Sequence, residues 1–238
     1  MSDAMSWLPE DWGRALAVVA HPDDMEYGAA AAVARWTGQG KDIRYLLVTR
    51  GEAGIETMSP DLAGPAREAE QRASCAEVGV TDVEFLDHHD GMVMPDMRLR
   101  LDLARAIRRH RPEVLLSINF RDSWGGPSWN HADHRAVGIA LLDAVRDAAN
   151  SWLAQGLDDP AWAGVRFVAF NASPQSTHAV DITDTFEAGV RSLMCHHVYL
   201  DALGDDEASV RQMLRGNAEG TGQEMGVELA TRWEMLTP

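Results

Sequence analysis

Five short apolar runs alternate with longer stretches of helical period along most of this chain, and that alternation limits the fold more than any other feature. "RALAVVA" (14–20), "IRYLLVT" (43–49), "DVEFLD" (82–87), "EVLLSIN" (113–119) and "VRFVAF" (165–170) have the length and apolar continuity of strands covered on both faces. Between them lie "EYGAAAAVARWTGQG", "GPAREAEQRASCAEVGV", "RLRLDLARAIRRH" and "HADHRAVGIALLDAVRDAA", helical in period and closed by Gly, Pro or Asn. Repeated βα units require right-handed crossovers, so the expected fold is α/β, a three-layer αβα sandwich around a mostly parallel sheet. The last quarter is less regular. There "VDITDTFEAGVRSLMCHHVYLDALG" resolves into a strand tail, a Thr183/Asp184 cap and a helix with Phe186, Val190, Leu193, His197 and Leu200 on one apolar face.

The 238 residues suit one domain spanning 1–238, because a single core keeps growing up to roughly 250 residues. A formal charge of -16 leaves no basic stripe to neutralise phosphates, which argues against nucleic acid and against an anionic membrane surface. No apolar run approaches the ~20 residues of a membrane span, and no charged-then-apolar leader opens the sequence, so a cytoplasmic protein is expected. Cys75 and Cys195 are far apart and form no Cys-x-x-Cys pair, so they are expected to be small core residues and not a disulfide. Oligomeric state is not legible, and a homo-oligomer is compatible with the composition.

Reactive residues gather where strands should end. "HPDD" follows the first strand, "GEAG" (51–54) the second, and "HADH" (131–134) comes after the fourth. In an open α/β sheet that edge is where ligands bind. Two unusually long connections, 51–64 and 120–130, flank the same edge. An unpaired carboxylate there would be costly if buried, so His21, Asp23 and Asp24 need a partner. Two imidazoles and one carboxylate form a set that suits a borderline divalent cation, zinc best, with positions left open for water. One of the two aspartates can bind the metal while its neighbour faces the metal's water. His131 and His134, at i and i+3, can address the same point.

These residues resemble a known family. "AHPDDMEYG", then "VTRGEAG", "REAEQRA", "HADHRAVG" and "VDIT" (180–183), are similar in order and content to the zinc-dependent de-N-acetylases of the LmbE-like or PIG-L family, over about residues 14–200. Relatives of that kind serve glycosylphosphatidylinositol, mycothiol and bacillithiol pathways. The resemblance implies a Rossmann-like sheet without a dinucleotide, one Zn²⁺ per chain, and hydrolysis of the acetamide of an N-acylated amino sugar or a related small amide. Carried over by position, it implies His21, Asp24 and His134 as metal ligands and Asp23 as general base. It also implies His131 as oxyanion stabiliser or acid, with Asp133 as the partner that orients it. Arg67, heading an R-x-x-E pattern with Glu70, and Asp90 in "HHDG" match substrate-contacting positions.

The sequence also departs from that pattern. Some relatives carry a Tyr shortly before the His-x-Asp-His segment, where this chain has Trp124 and Trp129. An indole donates one hydrogen bond and is no acid. The two tryptophans are either core or a platform for a sugar or aromatic aglycone, and Trp129 is the substrate-side candidate. The family's late Leu-x-x-His-x-Ser-Gln pattern aligns His196, followed here by Val198 and Tyr199 in place of Ser-Gln, while periodicity turns His197 to the apolar face. Both histidines are expected to be structural. The alternative function is an amidase acting on a thiol conjugate or an acylated natural product. A nucleotide-binding module is disfavoured, because "HPDDMEYG" would set two carboxylates against the phosphates where a Gly-rich cradle is needed.

Overall fold

The computed structural model describes residues 5–153 and 159–238. Within these residues eight strands form one sheet: β1 (Ser6–Trp7), β2 (Arg14–Val19), β3 (Asp42–Leu47), β4 (Val83–Phe85), β5 (Val114–Ile118), β6 (Phe167–Asn171), β7 (His178–Asp181) and β8 (Ala230–Leu236). Their spatial order is β1-β7-β8-β6-β5-β2-β3-β4, and every pairing is parallel except those of β8, which runs antiparallel between β6 and β7. Among the described residues seven helices complete it: α1 (Ala30–Gly38), α2 (Pro60–Glu77), α3 (Met97–His110), α4 (Ala132–Ala149), α5 (Phe186–Met194), α6 (His197–Leu203) and α7 (Glu207–Met225).

The alternation of side chains along β2 explains the layers. Ala15, Ala17 and Val19 enter one core with Trp36, Val190 and Leu214, from the α1, α5 and α7 side. Leu16, Val18 and Ala20 enter the other with Leu103, Ile107, Leu141 and Val145 from α3 and α4. A strand covered on both faces has no polar side, hence its unbroken apolar sequence. Strand order reverses between β2 and β5, whose neighbours run away from one another in sequence. Their carboxyl ends open the crevice in which doubly wound sheets bind ligands.

Three expectations need correction. The first helix begins at Ala30 and not at Glu26, because Asp23 adopts a left-handed backbone (φ 85°) and residues 22–29 form tight turns. The late helix breaks after Met194, and α6 starts again at His197, so the single apolar face drawn across it does not exist. His196 is consequently fully buried while His197 is exposed, the reverse of the periodic assignment. Finally, the core role expected of both cysteines holds for buried Cys75 only, Cys195 being half-buried, and both are free thiols.

Candidate active site

The β2 strand ends at Val19, and the chain turns sharply through His21, Pro22 and Asp23. Asp24 fixes this turn: its Oδ2 accepts the backbone N–H groups of Ala20 (3.0 Å) and His21 (2.9 Å). Its Oδ1 is thereby left pointing outward, 3.0 Å from Nε2 of His134 and 3.7 Å from Nδ1 of His21. Those two ring nitrogens are themselves 3.2 Å apart, although 113 positions separate the residues in sequence.

Hydrogen-bond partners settle which nitrogens carry protons. His21 Nε2 faces only carboxylate oxygens, Asp90 Oδ1 at 3.0 Å and Asp133 Oδ2 at 3.2 Å, so it carries the hydrogen. His134 Nδ1 lies 2.9 Å from Asn130 Oδ1. That amide cannot be flipped, since its Nδ2 donates to the carbonyls of Asn119 (2.6 Å) and Arg121 (3.1 Å). His134 Nδ1 is therefore the donor. With both imidazoles neutral, two ring lone pairs and a carboxylate oxygen then converge, an arrangement that calls for a proton or a metal cation between them. Three ligands of tetrahedral zinc, with bonds of about 2.0–2.1 Å, would sit about 3.3 Å from one another, close to the spacing found. The donor set thus fits a divalent ion.

Without a metal ion, a proton takes that place. Burial would lower the His21 pKa, but the Asp24 charge and bonds to Asp133, Asp24 and Asp90 outweigh it and raise it well above the ordinary value. Burial pushes the Asp24 carboxyl up, yet His134 and His21 hold it far below the usual carboxylate range. Its neighbour behaves oppositely. Burial, opposed by the Arg67 charge and helped by Asp24, raises Asp23 to about 8. Two adjacent carboxylates whose environments drive their pKa values apart are suited to separate roles, one permanently ionised and one able to exchange a proton.

Asp23 is held by α2. Its Oδ2 accepts from Arg67 Nη2 at 2.5 Å, and its backbone N–H donates to Gln71 Oε1 at 2.9 Å. The Gln71 amide is oriented by donating from Nε2 to Glu26 (2.8 Å), a buried carboxyl that desolvation raises to about 7 against its bonds from Gln71 and Ser74. Arg67 also donates to the carbonyls of Gly51 (3.0 Å) and Pro22 (2.7 Å), and Tyr199 covers its guanidinium at 4.1 Å from the ring centroid. A Cβ at Gly51 or Gly54 would come within 2.5 Å of Arg67 Nη1, so the small residues of "GEAG" make room for this arginine.

His131 is the N-cap of α4, where its Nδ1 accepts the Asp133 N–H at 3.2 Å, which leaves Nε2 as donor. Burial first, then the charges of His21 and His134 against that of Asp133, lower its pKa. It is a neutral donor, and its ring nitrogen lies within 4.8 Å of those of His21 and His134. The Asp133 carboxylate does not orient this ring, contrary to expectation: it binds His21 and accepts from the N–H groups of Gly91 (2.7 Å) and Val93 (3.2 Å).

A crevice of about 340 Å³ unites His21, Asp23, Asp24, His131 and His134 with Arg67, Asp90 and Tyr199. Trp124 joins its wall, its ring edge-on to His134 at 5.8 Å. Trp129 does not: it is 86% exposed and lies outside the crevice's lining. Glu70 is buried elsewhere and accepts the Val198 N–H, and neither His196 nor His197 reaches the crevice. Sequence reasoning missed Asn130, Gln71, Tyr27 and Tyr199. Asn130 alone had a local signal, an amide placed just before "HADH".

An α/β sheet with a cation-ready crevice at its switch point, a separately held carboxyl and a neutral donor define a hydrolase-type site of the metal-assisted class. The chain belongs to the PIG-L family, whose description as GlcNAc-PI de-N-acetylase matches residues 16–145. Over 194 residues it is 30% identical to diacetylchitobiose deacetylase of Thermococcus kodakarensis, covering 78% of this chain and 70% of that protein. It is also 30% identical over 178 residues to the 1D-myo-inositol 2-acetamido-2-deoxy-alpha-D-glucopyranoside deacetylase of a Nocardioides species, covering 58% of this chain and 59% of that one. The fold matches N,N'-diacetylchitobiose deacetylase from Pyrococcus horikoshii with a TM-score of 0.85 at 21% identity, over 96% of this chain and 85% of the other. It is an amide-hydrolysing deacetylase by family. Among the described residues no helix is long and apolar enough to cross a membrane.

Proposed function

We propose that this chain is a zinc-dependent hydrolase that removes the acetyl group from an N-acetylated amino sugar or glycoside, residues 1–238 acting as one domain. The observation that carries it is the convergence of His21 Nδ1, Asp24 Oδ1 and His134 Nε2 within 3.7 Å of one another, a set that binds a cation once the imidazoles are neutral. These three residues would hold the ion. When bound it supplies Lewis-acid polarisation of the amide carbonyl and acidifies a water.

The remaining steps belong to the protein. Asp23 accepts the water's proton and passes it to the departing nitrogen, a task suited to a carboxyl whose pKa lies near the working pH. Arg67 holds Asp23 in place and tempers its burial. His131 Nε2–H is available to the oxygen on which charge develops, and its lowered pKa keeps it a neutral donor. Asp90 and Asp133 fix the His21 ring, as carboxylates commonly do for metal-binding imidazoles. Asp90 also accepts the Ala53 N–H (2.8 Å) and keeps lone pairs for a sugar hydroxyl. The deacetylase relatives named above support an amino-sugar substrate, and two free thiols support a reducing compartment, the cytoplasm.

The test is metal analysis of purified protein together with acetate release from N-acetylglucosamine, diacetylchitobiose and N-acetylglucosaminyl-inositol. About one zinc per chain and chelator-sensitive, zinc-restored release are expected. Protein that takes up no zinc and frees acetate from none of these would overturn the function.

A further inference from the structure

Beside the crevice lies a second chamber of about 400 Å³, and Tyr27 and Trp124 line both. Its walls are Ala31 of α1, Ile182, Phe186 of α5, and Leu214 and Ala218 of α7, all of them buried core residues. Of the polar groups on its wall, Asn171 Nδ2 donates to the Arg232 carbonyl (3.2 Å) and Ser173 Oγ to Glu234 (2.5 Å), while the buried Glu26 carboxyl keeps its Oε2 without a hydrogen-bond partner among the described residues. The volume falls within the ~300–1,000 Å³ usual for small-molecule sites, and its walls offer hydrocarbon contact.

The order of strands gives this chamber a direction. Along the carboxyl edge the three metal-ready groups sit at β2 and β5. Toward β3 and β4 lie the charged groups, Asp23 with Arg67 and then Asp90; toward β6 and β8 lies the apolar chamber, with Asn171 and Arg232 at its wall. An amide has its amine on one side of the carbonyl and its acyl group on the other. The proton must reach the nitrogen from Asp23, so the amine belongs on the charged side. The acyl group then points past Tyr27 and Trp124 into the chamber.

We infer that the chamber is an acyl subsite and that this enzyme hydrolyses amides of medium-chain fatty acids on an amino sugar better than acetamides; this rests on the hydrolase function proposed above. In the reaction, water oxygen bonds to the acyl carbon, the C–N bond breaks, and the water's proton goes to nitrogen. A fatty carboxylate and a free amino sugar leave. Each methylene buried in the chamber contributes about a fourfold gain in binding when fully desolvated.

The test uses the zinc-loaded protein with glucosamine N-acylated by acetyl, butyryl, hexanoyl and octanoyl groups, and with octyl N-acetylglucosaminide. The expected result is a rise in kcat/KM of roughly tenfold or more from acetyl to octanoyl. Ala218→Phe should remove most of that ratio, each rate being taken relative to the same variant's acetyl rate. A flat or falling series overturns the inference, as does a gain confined to the octyl glycoside, which would assign the chamber to the aglycone. A binding arm stands apart from turnover. Octanoate should raise the melting temperature of the wild-type protein where acetate at equal concentration does not. Equal shifts overturn the acyl subsite. Selective octanoate binding without hydrolysis of any amide would leave the chamber standing and remove the proposed activity.

Discussion

Among the described residues histidines and carboxylates gather both around His21 and around His110, and the two places differ in their fitness as a reaction centre. His21, Asp24 and His134 meet at the carboxyl ends of β2 and β5; Asp82, Glu84 and His110 meet near β4 and the end of α3, their ligand atoms also within 4.8 Å of one another. Residue types and spacing hardly distinguish them. What differs is the supply of positive charge and of water. At the second cluster Arg44 reaches Asp82 (3.1 Å) and Arg109 binds Glu84, so the carboxylates have guanidinium partners at a half-exposed surface. Burial, reinforced by Arg109 and Arg44 against Glu84, lowers the pKa of His110. Among the described residues lining the crevice the one guanidinium, Arg67, is spent on Asp23 and on two carbonyls, and the triad has no Arg or Lys of its own. A metal site is recognised by what its ligands lack.

The largest effect should come from removing a ligand. His134→Ala or Asp24→Ala is expected to take bound zinc from about one ion per chain to none and to cut turnover by about 10³-fold or more, since the charge that stabilises the oxyanion is lost. Metal analysis of the dialysed variants decides it. A variant that keeps its ion at unchanged affinity would transfer that ligand's role to His131, the other ring nitrogen within reach.

Asp23→Asn comes next, with turnover falling about 10²–10⁴-fold while zinc is retained. This substitution also has a stability signature in metal-free protein. Asp23 holds its proton in the folded state up to about 8 but has an ordinary value of 3.8. A raised carboxyl pKa means that the folded state binds the proton more tightly, so stability is lost as pH rises between those two values. Asparagine cannot ionise, and the variant should therefore melt higher than wild type at pH 8 and no higher at pH 4. A lower melting temperature at both would mean that the ion pair with Arg67 outweighs desolvation.

A subtler change sits behind the ligands. Asn130→Ala frees His134 Nδ1 and the loop carbonyls of Asn119 and Arg121, and zinc affinity should weaken about 10–100-fold, the usual effect of deleting a group that orients a ligand. Competition with a chelator of known affinity measures it. Unchanged affinity would mean that the triad itself, without Asn130, sets the imidazole.

Much of the frame was legible because burial on both faces forces apolar continuity. The structure keeps β2, β3 and β5 within two residues of their expected ends, and α3 and α4 within one. The β8 strand was not legible: Thr231, Arg232 and Glu234 interrupt its apolar run, it runs antiparallel, and its place between β6 and β7 depends on non-local pairing. Neither was α7, whose Gly216, Gly220 and Gly222 weaken a helical pattern that its Asp206 and Ser209 capping box restores. Within the site, the segments "HPDD" and "HADH" were marked by residue type and position, and the choice of His21, Asp24 and His134 among them came from the family resemblance. The assignment of Asp133 to His131 failed because i+2 neighbours on a helix start do not face each other, and the carboxylate turned inward to His21. Gln71 and Asn130 act through amides that only the folded chain aims, so no spacing announces them.

The smallest expected effect closes the contrast between the two clusters. Asp82→Asn combined with Glu84→Gln removes both carboxylates from the outer group, leaving Arg109 without its partner and Arg44 with Asp42 alone. These pairs are substantially exposed and screened, so stability should change by about 1 kcal/mol or less. Zinc content and turnover should both match wild type, because no residue of the crevice loses a contact. If the outer group bound the ion instead, this double variant would lose zinc and His134→Ala would keep it. Running the two side by side therefore separates a cluster that needs a cation from one that already contains its own.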